Sequence, residues 1–359
     1  MVGKHPFNLN IISSVLCIPY NKFYKWYKFH LSDFKTAVTQ KNLHQYDIEI
    51  KSNSSRNPDI ISVPILKPEH IGELMAIDEK HINGQFYTIL TNGKTGKVAM
   101  MASTVNSNEI GQCLSHFGDS LKQVSTITRD LSPTYEKVAT IHFSNATQVA
   151  DKYHIVQHAI ESLQELRIRY KQEALLSQRK EEKEHRQLYQ TYKQSRELGY
   201  DNEKVRKIYI PKRLENGETK PELLSRCNYL LYKKAHQWTE RQRKRAKLLF
   251  NHYPEIERAY EYILAFRNWY EPTINKICLM YKENQLWNWI YEVETCKIEE
   301  LLNFRSTVEN HADYILNYYK QYATNAIAES TNAKIQSYIR DNKGTRDLDF
   351  FHYRLGLVL

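Results

Sequence analysis

Between residues 74 and 155 apolar positions recur in short runs of alternating character, and turn formers separate the runs. LMAIDEKHI, QFYTILTN and KVAMMAST are rich in Ile, Val, Thr, Phe and Tyr. Asn83-Gly84 and Asn92-Gly93 lie between them, and such pairs favour tight hairpins, so the pattern predicts a three-stranded meander. In SNEIGQCLSHFGDSL the apolar residues Ile110, Leu114 and Phe117 sit at helical spacing, with Gly118 as a stop. KQVSTITRD then reads as a fourth strand ending on Asp130. SPTYEKVATIHF reads as a helix with Ser132 as N-cap and Pro133 at its first position, and ATQVADKYHI as a fifth strand delivering Asp151 to its end.

From about residue 155 to 320 the apolar period becomes helical and stays so. AIESLQELRIRYKQEALLSQRKEEKEHRQLYQTYKQSREL mixes both charges and predicts one long exposed helix or an antiparallel pair. IYIPKRLENGETK interrupts it with a turn. The helical segment after that turn carries RQRKRAK, the densest basic run on the chain, and Arg241, Arg243, Lys244, Arg245 and Lys247 are its candidate DNA-backbone contacts. Past residue 320, AIAESTNAKIQ places polar Asn325, Glu329, Asn332 and Gln336 three or four residues apart, a single helical stripe. Lys334, Arg340, Lys343 and Arg346 follow as candidate phosphate contacts.

The expected fold class is therefore α/β, with element order β-β-β-α-β-α-β-α and a large α-helical insertion. This order sets the end of the fourth strand beside the middle of the first, and ligands of α/β sheets gather beyond strand ends. That arrangement resembles the ribonuclease H-like core, a mixed sheet. The divisions expected are residues 1–66, an N-terminal segment with a linker; 67–155, the first part of the core; 156–320, the helical insertion; and 321–359, a C-terminal core helix with a basic tail.

Three acidic residues in separate contexts, Asp78, Asp130 and Glu329, suit metal-dependent phosphoryl transfer, since hard divalent cations prefer oxygen ligands. An acidic residue inside an apolar strand is costly to bury unless paired or metal-bound, which gives Asp78 the most weight. Asp151 is the rival for the second position. With His154 and His158 behind it, Asp151 fits a supporting role, a helix cap or a loose zinc site.

IDE followed by GQFYTILTN, then TRDLSPTY, ADKYHIVQHA and AIAESTNAKIQSYIRDNKGTRDLDFFHYRL resemble, in order, the DDE transposases of the ISL-three insertion-sequence family, over roughly residues 70 to 359. The resemblance implies DNA cleavage and strand transfer by two Mg²⁺ ions, with Mn²⁺ able to substitute. It also implies Asp78, Asp130 and Glu329 as catalytic metal ligands and Asp151, His154 and Asn332 in support. Its partners would be DNA, both element ends and target, and further copies of the chain. A catalytically inactive DNA-binding descendant and a stand-alone ribonuclease H-like nuclease fit the same residues.

Composition fits DNA as partner. The chain has 359 residues, formal charge +10 and 26 tyrosines. A basic balance favours nucleic-acid phosphates, and aromatics offer stacking platforms. In NKFYKWYKFHLSDFKTAV aromatics alternate with lysines. Five cysteines form no CxxC pair, so the zinc ribbon typical of this family is missing from residues 1–66, and end recognition by a separate protein is one expectation. Reduced cysteines predict a cytoplasmic protein. No apolar run approaches the roughly 18 residues of a membrane span.

Overall fold

The computed structural model describes residues 9–39, 48–49, 60–61, 63–82, 84–200, 204–271, 278–321, 326–342 and 347–359. Lys343 and Arg346, the Asn83 turn residue and Asn325 lie outside them. Two compact units result, residues 1–155 with 311–359, and residues 156–310.

The first unit is built on two sheets. β1 (Ile48–Glu49) and β2 (Ile60–Ile61) form a small antiparallel pair. The main sheet has six strands: β3 (Ile65–Leu66), β4 (Leu74–Ile82), β5 (Gln85–Asn92), β6 (Val98–Ala102), β7 (Thr126–Arg129) and β8 (Thr147–Ala150), in the order β3-β6-β5-β4-β7-β8. The meander β4-β5-β6 is antiparallel, whereas β7 and β8 run parallel to β4. The five expected strands are these; β3, two residues long on the edge, is the addition.

Helices of this unit are α1 (Leu9–Val15), α2 (Tyr20–Trp26), which a π-turn at Tyr27–Leu31 continues, α3 (Phe34–Thr39), α4 (Ser107–Ser115) and α5 (Pro133–His142). α6 (Lys152–Glu197) leaves β8 as one continuous 46-residue helix rather than a pair. The second unit adds α7 (Lys220–Arg226), α8 (Asn228–Tyr232), α9 (Glu240–His252), α10 (Pro254–Trp269), α11 (Leu279–Cys296) and α12 (Glu299–Asn310). α13 (Ala312–Gln321), α14 (Ala326–Asp341) and α15 (Leu348–Val358) return to the first unit.

Strand alternation decides which face each residue serves. Met75 and Ile77 point to the layer of α4 and α5, packing with Leu90, Ile110, Leu114, Ile127 and Val138. Ile82, Ile89 and Met101 point to the other face and pack with Ile335 and Tyr338 of α14 and Leu355 of α15. Asp78 opposes Ile89 across the β4–β5 pair and therefore shares that second face.

The β5–β6 connection departs from the expected Asn92-Gly93 turn. Asn92 Oδ1 accepts from the amides of Lys94 and Thr95, a five-residue loop results, and the left-handed residue is Gly96 at φ +73°. Gly96 also touches α14: its carbonyl accepts from Thr331 Oγ1 at 2.8 Å. A Cβ there would lie 3.0 Å from Thr331 Oγ1 and 3.2 Å from Ile327 Cγ2.

In the second unit Phe266 of α10 packs against Trp289 of α11 and Phe304 of α12, with ring centroids 4.8 and 5.2 Å away. The indole N–H groups of Trp238, Trp269 and Trp289 donate to the carbonyls of Leu230, Lys282 and Tyr262. Those three rings are fixed in the packing, while Trp287 is 43% exposed. No described helix is long and apolar enough to cross a membrane.

Candidate active site

Parallel registry of β4, β7 and β8 lines up three aspartates. Ala76 pairs with Thr128, and Arg129 pairs with Ala150. Continued by two residues, the first register sets Asp78 beside Asp130; continued by one, the second sets Asp130 beside Asp151. β4 is the longest strand, so Asp78 is held in its middle while the other two stand just past strand ends.

Asp78 is largely buried and surrounded by donors. Asn332 Nδ2 donates to its Oδ2 at 2.6 Å, Lys80 Nζ lies 3.2 Å from the same oxygen, and the Glu79 amide donates to Oδ1 at 2.7 Å. His154 Nε2 is 3.7 Å from Asp78 Oδ1 and 3.9 Å from Asp151 Oδ2. Burial by itself would push the Asp78 carboxyl up, but His154, Lys80 and the Glu79 amide outweigh it and hold the carboxyl below its ordinary value.

Asp130 behaves oppositely. Burial and the nearby charge of Asp78 raise it, against the lowering effect of the Ser132 amide, His154 and Arg129. Its Oδ1 accepts from Ser132 N at 2.8 Å, and this contact, rather than a Ser132 side-chain cap, starts α5. Asp151 Oδ1 accepts from Tyr153 N at 2.9 Å at the head of α6. His154 is raised chiefly by its hydrogen bond to Asp78, against burial, and further by the charges of Asp151, Asp78 and Asp130. One imidazole thus senses three carboxylates.

Two contributors escaped sequence reasoning. Lys80 follows Asp78 by two residues, so strand alternation puts both on one face, and that period was the signal available. Arg129, next to Asp130, is buried: its Nη1 donates to the Asp130 carbonyl and its Nε to Gln148 Oε1, both at 2.8 Å, and its guanidinium lies 4.5 Å from the Tyr314 ring centroid. Nothing in the sequence marks an arginine at a strand end as buried.

Glu329 lies on α14, three residues before Asn332; its side chain is outside the described set. Among the described residues no group of three His, Cys, Asp or Glu side chains is arranged to hold a metal ion. His158 turns to Glu161, 3.4 Å away. Asn332 Oδ1 is buried and finds no hydrogen-bond partner among the described residues.

Lys334 and Arg340 are exposed on α14. Of the basic run on α9, Arg241, Arg243, Lys244 and Lys247 are exposed, Lys244 lying 3.0 Å from Glu240. Arg245 instead donates to Glu218 at 2.8 Å, alongside Arg226.

A mixed sheet that sets one aspartate from the middle of β4 beside two just past the ends of β7 and β8, faced by a helix carrying an amide, defines an α/β protein with an acidic cluster at its parallel strands. The chain matches the family model of the ISL3-type DDE transposases, described as a transposase, over residues 75–355, and it belongs to that family. Neither the curated proteins nor the solved structures give a match.

Proposed function

We propose that the protein is a DNA transposase that cleaves DNA and transfers strands with divalent metal ions, through Asp78, Asp130 and Glu329. The observation that carries this reading is the parallel register of β4 and β7, which continued by two residues sets Asp78 beside Asp130 just past the end of β7, inside a chain of transposase family. The strand order, with an antiparallel meander leading into two parallel strands, supports a ribonuclease H-like core.

The donor set fits a hard cation. Asp78 and Asp130 offer carboxylate oxygens, Asn332 leaves a buried amide oxygen with no partner among the described residues, and Glu329 sits at a spacing that puts its position on the Asn332 face of α14. Asp78, central and rigid, would hold the ions together with Asp130 and Glu329. Two Mg²⁺ ions, or Mn²⁺ in their place, would supply activation of the attacking oxygen and stabilisation of the leaving one.

The chain's own residues then hold the reactants. Asn332 fixes the Asp78 carboxylate, and Lys80 and His154 keep it ionised. Arg129 anchors the peptide that carries Asp130, and Asp151 orients His154. Attack of water on a phosphodiester exposes a 3′-hydroxyl, which in the second step attacks a target phosphodiester as another strand oxygen leaves. Exposed Lys334 and Arg340, with the α9 run, would hold backbone phosphates. Pairing of two element ends calls for more than one copy of the chain.

The test uses DNA carrying the sequences that flank the coding region. Asp130→Asn is expected to abolish Mg²⁺-dependent strand cleavage while retaining DNA binding. Unchanged cleavage removes Asp130 from the site. Cleavage without joining of a labelled 3′ end to target DNA would favour a nuclease.

A further inference from the structure

The N-terminal helices present a second face, separate from the carboxylate cluster. α2 and its π-turn bury Phe23 and Tyr27, which form one cluster with Leu9, Phe34 and Phe350 of α15. Phe350 meets Phe34, Tyr24 and Tyr27 at ring-centroid distances of 5.0, 5.5 and 5.9 Å, so the helix is held by an aromatic core.

On the opposite side stand Lys22, Lys25, Trp26 and Phe29, at spacings of three, four and seven residues that place them along one stripe. Trp26 is 48% and Phe29 44% exposed. Neither Lys22 nor Lys25 forms an ion pair with a described residue. Lys28, by contrast, is engaged by Asp347 and lies over the Phe34 ring.

Two large flat rings left in water beside two cations that pair with no described residue define what would cover them. The partner must offer flat apolar faces and negative charge at short repeat. Duplex DNA offers the charge, but its base faces are already covered by its own stacking. A membrane surface prefers a continuous apolar face, and that face of α2 is already buried on α15. Unpaired nucleotides offer both features, bases for the rings and phosphates for the lysines.

We propose that Lys22, Lys25, Trp26 and Phe29 form a binding face for single-stranded DNA. Trp26 and Phe29 stack on successive bases while Lys22 and Lys25 neutralise neighbouring phosphates. Family membership supports DNA as the nucleic acid; the face itself does not depend on the carboxylate site, so loss of either reading leaves the other standing.

Anisotropy of a labelled oligo-dT and of a labelled hairpin duplex, titrated with the full chain, tests it. The Trp26→Ala/Phe29→Ala double variant is expected to lose roughly tenfold or more in oligo-dT affinity and to bind duplex within about twofold of the parent. Lys22→Ala/Lys25→Ala should flatten the salt dependence of oligo-dT binding by roughly 0.7 per lysine in the log–log slope. An unchanged melting temperature, expected for exposed side chains, shows that the variants fold. Parental oligo-dT affinity in the aromatic variant overturns the proposal, as does an equal loss for duplex. Trp26-dependent binding to phosphatidylglycerol vesicles, with none to oligo-dT, overturns it in favour of a membrane surface.

Discussion

Asp130 and Asp78 are adjacent carboxylates pushed in opposite directions, and the difference has measurable consequences. Asp130 is raised by burial and by Asp78, so its charged form is disfavoured in the metal-free fold. Asp130→Asn is therefore expected to raise the melting temperature at neutral pH while eliminating cleavage, a stability gain at the expense of function read by calorimetry beside the cleavage assay. His154 shifts the other way. Its pKa is raised above the ordinary 6.5, so its stabilising contribution is full below that value and is lost as pH rises through the raised one. Melting curves of metal-free protein between about pH 6 and about pH 9 should fall more steeply for the parent than for His154→Gln. Parallel curves would show that His154 does not stabilise the cluster. At this scale the sequence was partly legible. Asp78 was visible because a carboxylate inside an apolar strand needs a partner, but the partners Lys80, Asn332 and His154 come from 2, 254 and 76 residues away, and only the first lies within reach of local periodicity.

Two contacts between elements, one beside the cluster and one remote from it, hold the first unit together. Gly96 lets the β5–β6 loop pass against α14, the helix that carries Asn332 and Glu329. Gly96→Val should cost about 1–2 kcal/mol from the left-handed backbone alone, and the added side chain would displace Thr331, so both chemical denaturation and cleavage should register it. The second contact is Phe350 on α15, 1% exposed among the aromatics of α2 and α3. Phe350→Ala is expected to destabilise by about 3–5 kcal/mol, the range for a truncated core phenylalanine, and to make residues 9–39 sensitive to protease first. Strand and helix types were legible because alternation and capping are local. The shift from Gly93 to Gly96 was not, because the contact with α14 that selects the loop spans 235 residues. Nor was α6 as one unbroken helix: mixed charges fit either one helix or two, and what distinguishes them is where the chain turns.

On the scale of the molecule, a basic chain with formal charge +10 combines a sheet that aligns aspartates with a helical unit whose α9 exposes Arg241, Arg243, Lys244 and Lys247. The chain belongs to the transposase family over residues 75–355, and the proposed site draws on residues far apart in sequence. The aspartates are collected by parallel pairing of β4, β7 and β8, and α14 contributes its amide across the face opposite α4 and α5. In the proposed function these carboxylates gather a divalent ion. Titration of the full chain with Mn²⁺, followed by electron paramagnetic resonance, tests it most directly. Saturable binding in the parent that weakens at least tenfold, about 1.4 kcal/mol, in Asp78→Asn and also falls in Asp130→Asn and Glu329→Gln is the predicted result. Equal Mn²⁺ affinity in all four proteins, or no saturable binding in the parent, would contradict it.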